Sequence, residues 1–247
     1  MVQYGFFFDQ SRCYGCQACS TACKDWNGID PGPEKWMTVY EWETGTFPNL
    51  RLHALAFPCA HCAHPACVDA CEQGAIFKED KYGAVLVDSE KCVGCRKCKA
   101  ACPFDAPKFA SDRPGEKMSK CTMCIDKLET GEKPQCALSC PMRALDFGPL
   151  DELIQKYGDV RSVEGMPDDE GVCPSIVIKP QQTKKQLIPY DTEEAISLNA
   201  QREGLPELYE SKLDVTEIPD GLMFRNGLHM NNDTAADLMR ATINDLG

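Results

Sequence analysis

Sixteen of the seventeen cysteines in this chain stand in four groups of four, and their spacing limits what the chain can fold around. Group one is Cys13, Cys16, Cys19 and Cys23, spaced C-x2-C-x2-C-x3-C. Group two is Cys59, Cys62, Cys67 and Cys71, spaced C-x2-C-x4-C-x3-C. Group three is Cys92, Cys95, Cys98 and Cys102, which repeats the spacing of group one and is followed by Pro103. Group four is Cys121, Cys124, Cys136 and Cys140, spaced C-x2-C-x11-C-x3-C and followed by Pro141. Every group closes on the same C-x3-C, so the ligand pattern is an internal repeat.

Three chemistries use cysteine at this density. Disulfides between such close neighbours would close almost no loop and stabilise little. The opening residues MVQYGFFFD also lack the basic start and long apolar stretch of a secretory signal. Structural zinc needs paired C-x2-C elements, but not triplets of thiolates followed by a fourth cysteine and proline. Iron–sulfur chemistry needs that pattern, and group three matches the bacterial ferredoxin run C-x2-C-x2-C-x3-C-P letter for letter. A tight loop with cysteine at every third position wraps three corners of a cubane. The fourth cysteine starts the next helix, points away and serves the other cluster of a pair. Sixteen ligands therefore imply four 4Fe-4S clusters.

Charge narrows the partners. The chain carries 26 Lys+Arg against 38 Asp+Glu, a formal net charge of −12. Four thiolate-bound clusters would add roughly −8 to −12 more. Nucleic acid and anionic lipid are thus poor partners. Hydrophobic residues make up 43 %, enough for a core. No apolar run approaches the roughly 18–20 residues of a membrane span. Arg12, Lys24, Lys91, Arg96, Lys97, Lys99, Lys120 and Lys127 flank the cysteines. They read either as compensation for cluster charge or as ordinary solvated surface cations.

Short apolar strands alternate with the cysteine loops. Tyr4–Phe8 leads into group one and Arg51–Phe57 into group two. Ala75–Lys78 and Ala84–Val87 form a hairpin around Lys81, Tyr82 and Gly83, and Ala144–Phe147 closes group four. Single helical turns are expected in the x3 spacings. The segment from Trp36 to Phe47, with Val39, Tyr40 and Trp42, reads as a hairpin covering the core or as a docking surface. A helix over Asp151–Tyr157 and a strand over Ser175–Lys179 follow. The acidic tail from Gln181 onward has no cysteine and ends in a helix presenting Ala235, Leu238, Met239, Ile243 and Leu246 on one side. The fold class is α+β, built of two ferredoxin-like units with two clusters each.

The runs YGFFFDQSRCYGCQACSTACKDWN, PCAHCAHPACVDAC, KCVGCRKCKAACPF and KCTMCIDKLETGEKPQCALSCPMRALDFGPLDEL, with SIVIKP, carry a family resemblance. The chain resembles the four-cluster iron–sulfur subunits of molybdopterin oxidoreductases of the dimethyl sulfoxide reductase superfamily, over residues 1 to about 180. The resemblance implies nested ligation. One cluster takes Cys13, Cys16, Cys19 and Cys140, and its neighbour takes Cys23, Cys121, Cys124 and Cys136. The inner pair takes Cys59, Cys62, Cys67 and Cys102, then Cys71, Cys92, Cys95 and Cys98. Sequential pairing of groups one with two and three with four is the alternative. The resemblance further implies an outer ferredoxin-like module of residues 1–50 and 111–180, an inner module of 51–110 with an inserted β-hairpin between the first groups, and a partner-wrapping extension, 181–247. Lys24 and Glu72 stand where proline follows the other groups, a departure from the shared pattern.

Cys173 is left over and reads as a free or buried thiol. His61 and His64 lie inside group two, where hydrogen bonding near a cluster or plain exposure fits better than ligation, because the ligand count is already complete. No Gly-rich phosphate loop or Ser/His/Asp set is present. The chain therefore reads as a non-catalytic electron-transfer subunit. Its implied partners are a large molybdopterin catalytic subunit and a quinone-linked membrane anchor. A free-standing polyferredoxin is the second reading. The resemblance places it at the cytoplasmic membrane, on the periplasmic face after co-export with a partner, or in the cytoplasm.

Overall fold

The computed structural model describes residues 2–45, 50–169 and 171–182. The expected C-terminal helix and most of the acidic tail lie outside the described residues. In chain order the strands are β1 (Tyr4–Asp9), β2 (Met37–Thr44), β3 (Arg51–Pro58), β4 (Ile76–Lys78), β5 (Val85–Val87), β6 (Lys108–Phe109), β7 (Met118–Ser119), β8 (Leu145–Pro149) and β9 (Ile176–Lys179). The helices are α1 (Ala18–Asn27), α2 (Ala66–Asp69), α3 (Lys97–Ala101), α4 (Ile125–Glu129), α5 (Gln135–Leu138) and α6 (Leu150–Tyr157).

The aromatic run of β1 makes it a central strand. It pairs antiparallel with β8, Phe6 opposite Phe147, and parallel with β9, Phe6 opposite Ile176. Alternation then sends Phe6 and Phe8 to one face and Phe7 to the other. Phe6 and Phe8 are fully buried in the core that also holds most of the cysteines. Phe7 packs under α6 with Leu150, Leu153 and Val177, its ring stacked on Tyr157 at 3.6 Å. Burying each phenylalanine stabilises the fold by about 1.5–3 kcal/mol. The strand needs apolar residues on both faces because both are covered.

β2 and β3 pair antiparallel from Met37–Pro58 to Thr44–Arg51. Val39, Tyr40 and Trp42 are buried within this pair, so the aromatic stretch faces the core and not a docking surface. β4 and β5 form a second antiparallel pair, and β6 and β7 a short third one. Around β4 and β5 a smaller apolar cluster gathers Ile76, Val85 and Met118 with Cys67 and Cys98.

Helix α1 corrects the expectation of a single turn between Cys19 and Cys23: it runs for 10 residues. The reason is its stop signal. Gly28 adopts φ 62°, its N–H bonds Asp25 O, and the Ile29 N–H bonds Lys24 O, the double bond of a Schellman cap. No earlier residue offers that left-handed exit. Helices α2, α3 and α5 are the single turns that the x3 spacings suggest. Helix α4 occupies the long spacer of group four, where the cysteine spacing gives no signal for it.

Candidate metal centre

Each cysteine group opens with the same backbone move. The residue just before the second cysteine has positive φ in all four groups: Gly15 at 76°, His61 at 45°, Gly94 at 72° and Met123 at 61°. The turn it makes folds successive cysteines toward one cavity. Glycine adopts this conformation without cost. At Gly94 a β-carbon would also meet the carbonyl oxygen of Glu116 at 2.4 Å. His61 and Met123 bear left-handed strain of about 1–2 kcal/mol each, and both side chains are fully buried, which offsets it. Groups one and three then repeat a second left-handed residue, Gln17 at 59° and Arg96 at 63°, which starts α1 and α3.

The tertiary fold sorts the sixteen thiols into sets. Cys13, Cys16, Cys19 and Cys140 line one cavity of about 330 Å³, with Phe8, Val39 and Ala56 behind them. Cys23, Cys121, Cys124 and Cys136 line a second, of about 290 Å³. A third, of about 340 Å³, is lined by Cys71, Cys92, Cys95 and Cys98. Burial first, and then the negative charges of Cys59, Cys102 and Cys67, oppose ionisation of Cys62, so the remaining four lie near one another. Among the described residues no three His, Cys, Asp or Glu side chains converge where a single ion could sit. The thiols stand around spaces, as a polynuclear group requires, and not around a point, as zinc requires.

The sulfurs are prepared for negative charge by N–H donors. Backbone N–H groups of His61, Met118, Met123, Ala106 and Ala144 donate to Sγ of Cys59, Cys92, Cys121, Cys102 and Cys140 at 3.3–3.5 Å. Asn27 Nδ2 lies 3.7 Å from Cys23 Sγ. Sequence reading missed Asn27, although its position four residues along α1 from Cys23 was the available signal. Such bonds to thiolate raise the reduction potential of whatever the thiolate holds.

Burial works against bare thiolates. It pushes Cys19, Cys23 and Cys67 up to about 12 and Cys98 up to about 11, from 9.0, with neighbouring thiolates adding to the effect. Cys121 and Cys136 are likewise raised well above 9.0, first by burial and then by other cysteines. A cationic iron group is what such sulfurs fit, because only its positive charge makes four buried thiolates tolerable together. The empty thiols hold protons that the loaded ones lack, so loading releases protons and is favoured as pH rises. Iron retained against a fixed, pH-corrected chelator activity should therefore climb steeply from about pH 6.5 to about pH 8.5. Retention that stays flat over that range would contradict the proton release.

The other candidates separate cleanly. Cys173 is exposed and belongs to none of the four sets, and His64 is exposed. His61 is fully buried, so plain exposure is ruled out for it. Of the flanking cations, Lys120 at 1 % exposure and Lys127 at 6 % are buried, which excludes the solvated-surface alternative for these two.

Residues 51–150 match the family model of the 4Fe-4S dicluster domain. Over 192 residues the sequence is 42 % identical to a component of the anaerobic dimethyl sulfoxide reductase of Escherichia coli (strain K12), covering 74 % of this protein and 92 % of that one. It is 31 % identical over 246 residues to the putative dimethyl sulfoxide reductase iron–sulfur subunit of Halobacterium salinarum, with 84 % and 93 % covered. This protein belongs to the family of dimethyl sulfoxide reductase iron–sulfur subunits. A sulfite dehydrogenase subunit of Allochromatium vinosum is also similar, at 38 % identity over 61 % of this protein and 70 % of its own length. As a member of that family it is an iron–sulfur electron-transfer subunit of an oxidoreductase and not the catalytic one. Among its described residues no helix is long and apolar enough to cross a membrane.

Proposed function

We propose that this iron–sulfur subunit holds four 4Fe-4S clusters in the nested sets and passes electrons between a molybdopterin catalytic subunit and a quinone-linked membrane anchor or other redox partner. The carrying observation is the grouping of cysteines distant in sequence, Cys140 with group one and Cys23 with group four, around shared cavities. When bound, such clusters supply reversible one-electron transfer. The protein's own residues hold them: the left-handed turns aim the thiolates, backbone N–H groups stabilise them, and Phe8, Val39, Ala56, Phe6 and Met37 exclude water. Cys16 and Cys95 are exposed, which suits the sets they belong to as the two ends of a relay. One relative is named as part of a reductase and another as part of a dehydrogenase, so the direction of flow in this protein is set by its partner.

In this reading residues 1–50 and 111–180 form an outer ferredoxin-like module, 51–110 an inner one, and 181–247 wrap a partner. The complex sits peripherally at the cytoplasmic membrane, reaching its periplasmic face by co-export or remaining in the cytoplasm. Anaerobic purification and metal analysis test it. About sixteen iron atoms per protein molecule are expected, with a large molybdenum- or tungsten-containing subunit co-purifying. Zinc or far less iron would overturn the four-cluster reading, and a fully loaded monomer would favour a free shuttle.

A further inference from the structure

Six of the eight cations flanking the cysteines pair with a carboxylate: Arg12 with Asp9, Lys91 with Asp88, Arg96 with Asp112, Lys97 with Glu72, Lys99 with Asp105 and Lys127 with Glu132. Lys24, partly exposed, donates to the carbonyls of Asp30 and Gly32. Lys120 differs from all of them. It is 1 % exposed, and its ammonium donates only to the carbonyls of Val85 and, at 2.8 Å, Cys121. Among the described residues no carboxylate forms an ion pair with it. An ammonium removed from water needs an anion nearby, and dipoles of two carbonyls replace only part of its hydration.

The surroundings fix where that ammonium sits. The Val85 carbonyl accepts from Lys120, while the Val85 N–H donates to His61 Nδ1 at 2.9 Å. His61, Val85 and Lys120 thus form one buried polar unit tying group two, β5 and group four together. Because Nδ1 is the acceptor, the imidazole proton is on Nε2. That Nε2 is buried and has no partner among the described residues. The unit therefore turns a fixed positive charge and an unused N–H donor inward, with no anion from the described residues to receive either. Lys120 bonds the carbonyl of Cys121 in one four-thiol set, and Val85, whose carbonyl also accepts from it, packs in one cluster with Cys67 of another.

We infer that Lys120 is the internal countercharge for two clusters, those of Cys59, Cys62, Cys67 and Cys102 and of Cys23, Cys121, Cys124 and Cys136, and that it raises the potentials of both. The inference rests on the four-cluster reading and adds a residue that sets two of the four potentials. Each reduction places one more negative charge in a low-dielectric interior, and a nearby immobile ammonium favours the reduced form. The His61 N–H acts in the same sense.

The test is Lys120→Met in the full-length protein, purified anaerobically with its iron and titrated by EPR against electrode potential. Two of the four midpoint potentials should fall, each by about a tenfold drop in the reduction equilibrium, about 59 mV for one electron. The other two should stay. Lys120→Arg, which keeps the charge, should keep all four near the wild-type values. If Lys120→Met sheds iron while Lys120→Arg retains it, the need for charge is likewise supported. Four unmoved potentials in fully loaded Lys120→Met, or equal iron loss in both variants, would overturn the inference. Wild-type protein with far less than about sixteen iron would bring down the four-cluster reading itself, and the countercharge with it.

Discussion

Replacing Cys140 by serine should remove the same cluster that is lost when Cys16 is replaced. Cys140 lies 117 positions after Cys23, the last cysteine of group one, yet its thiol shares a cavity with Cys13, Cys16 and Cys19. Its Sγ also receives the Ala144 N–H at 3.3 Å, and it is buried, so the thiol is held in place and not free to serve another site. Iron per molecule should fall by about a quarter, from about sixteen to about twelve. The EPR signal missing from Cys140→Ser should be the one missing from Cys16→Ser. Sequential pairing makes a different forecast, because group four would then complete group three. A Cys140→Ser spectrum matching that of Cys95→Ser would defeat the nested arrangement.

Stripping the iron should have an even larger effect on the fold. The main core contains Cys19, Cys23, Cys59, Cys121, Cys136 and Cys140 among its buried residues, and no disulfide joins any of the seventeen cysteines. Three of the four-thiol cavities measure about 330, 290 and 340 Å³. A bound cluster fills the space that these thiols line, so its removal takes away packing contacts from the core around them. Binding energy at such sites is folding energy. Anaerobic, chelator-treated protein should thus lose its cooperative thermal transition and its near-ultraviolet circular dichroism. Iron-free protein melting at the loaded protein's temperature would show that the core stands without its metal.

The cysteine spacings were legible because cluster ligation is a local constraint: a loop must present thiols at fixed intervals, and composition cannot hide that. Strands β1, β3, β4, β5 and β9 were legible to within a residue because they are short apolar runs bounded by turns, whereas the two-residue β6 and β7 were not read at all. Helix α1 was not, because its length depends on the left-handed exit at Gly28 and not on the cysteines inside it. The fate of the aromatic stretch was open until β2 was seen paired with β3, its tryptophan and tyrosine turned inward.

Lys120 and His61 mark the boundary most clearly. In the sequence, Lys120 is one of eight cations beside cysteines, and His61 is one of two histidines in a single motif. Burial of both follows from β5 lying between groups two and four, where the two polar groups of Val85 engage them. Residue type and spacing by themselves determined the chemistry, because thiolate number and interval are properties of a short loop. The tertiary structure decided which distant thiols share a cavity and which buried cation lies among them without a carboxylate partner among the described residues, because both depend on segments meeting across long stretches of sequence.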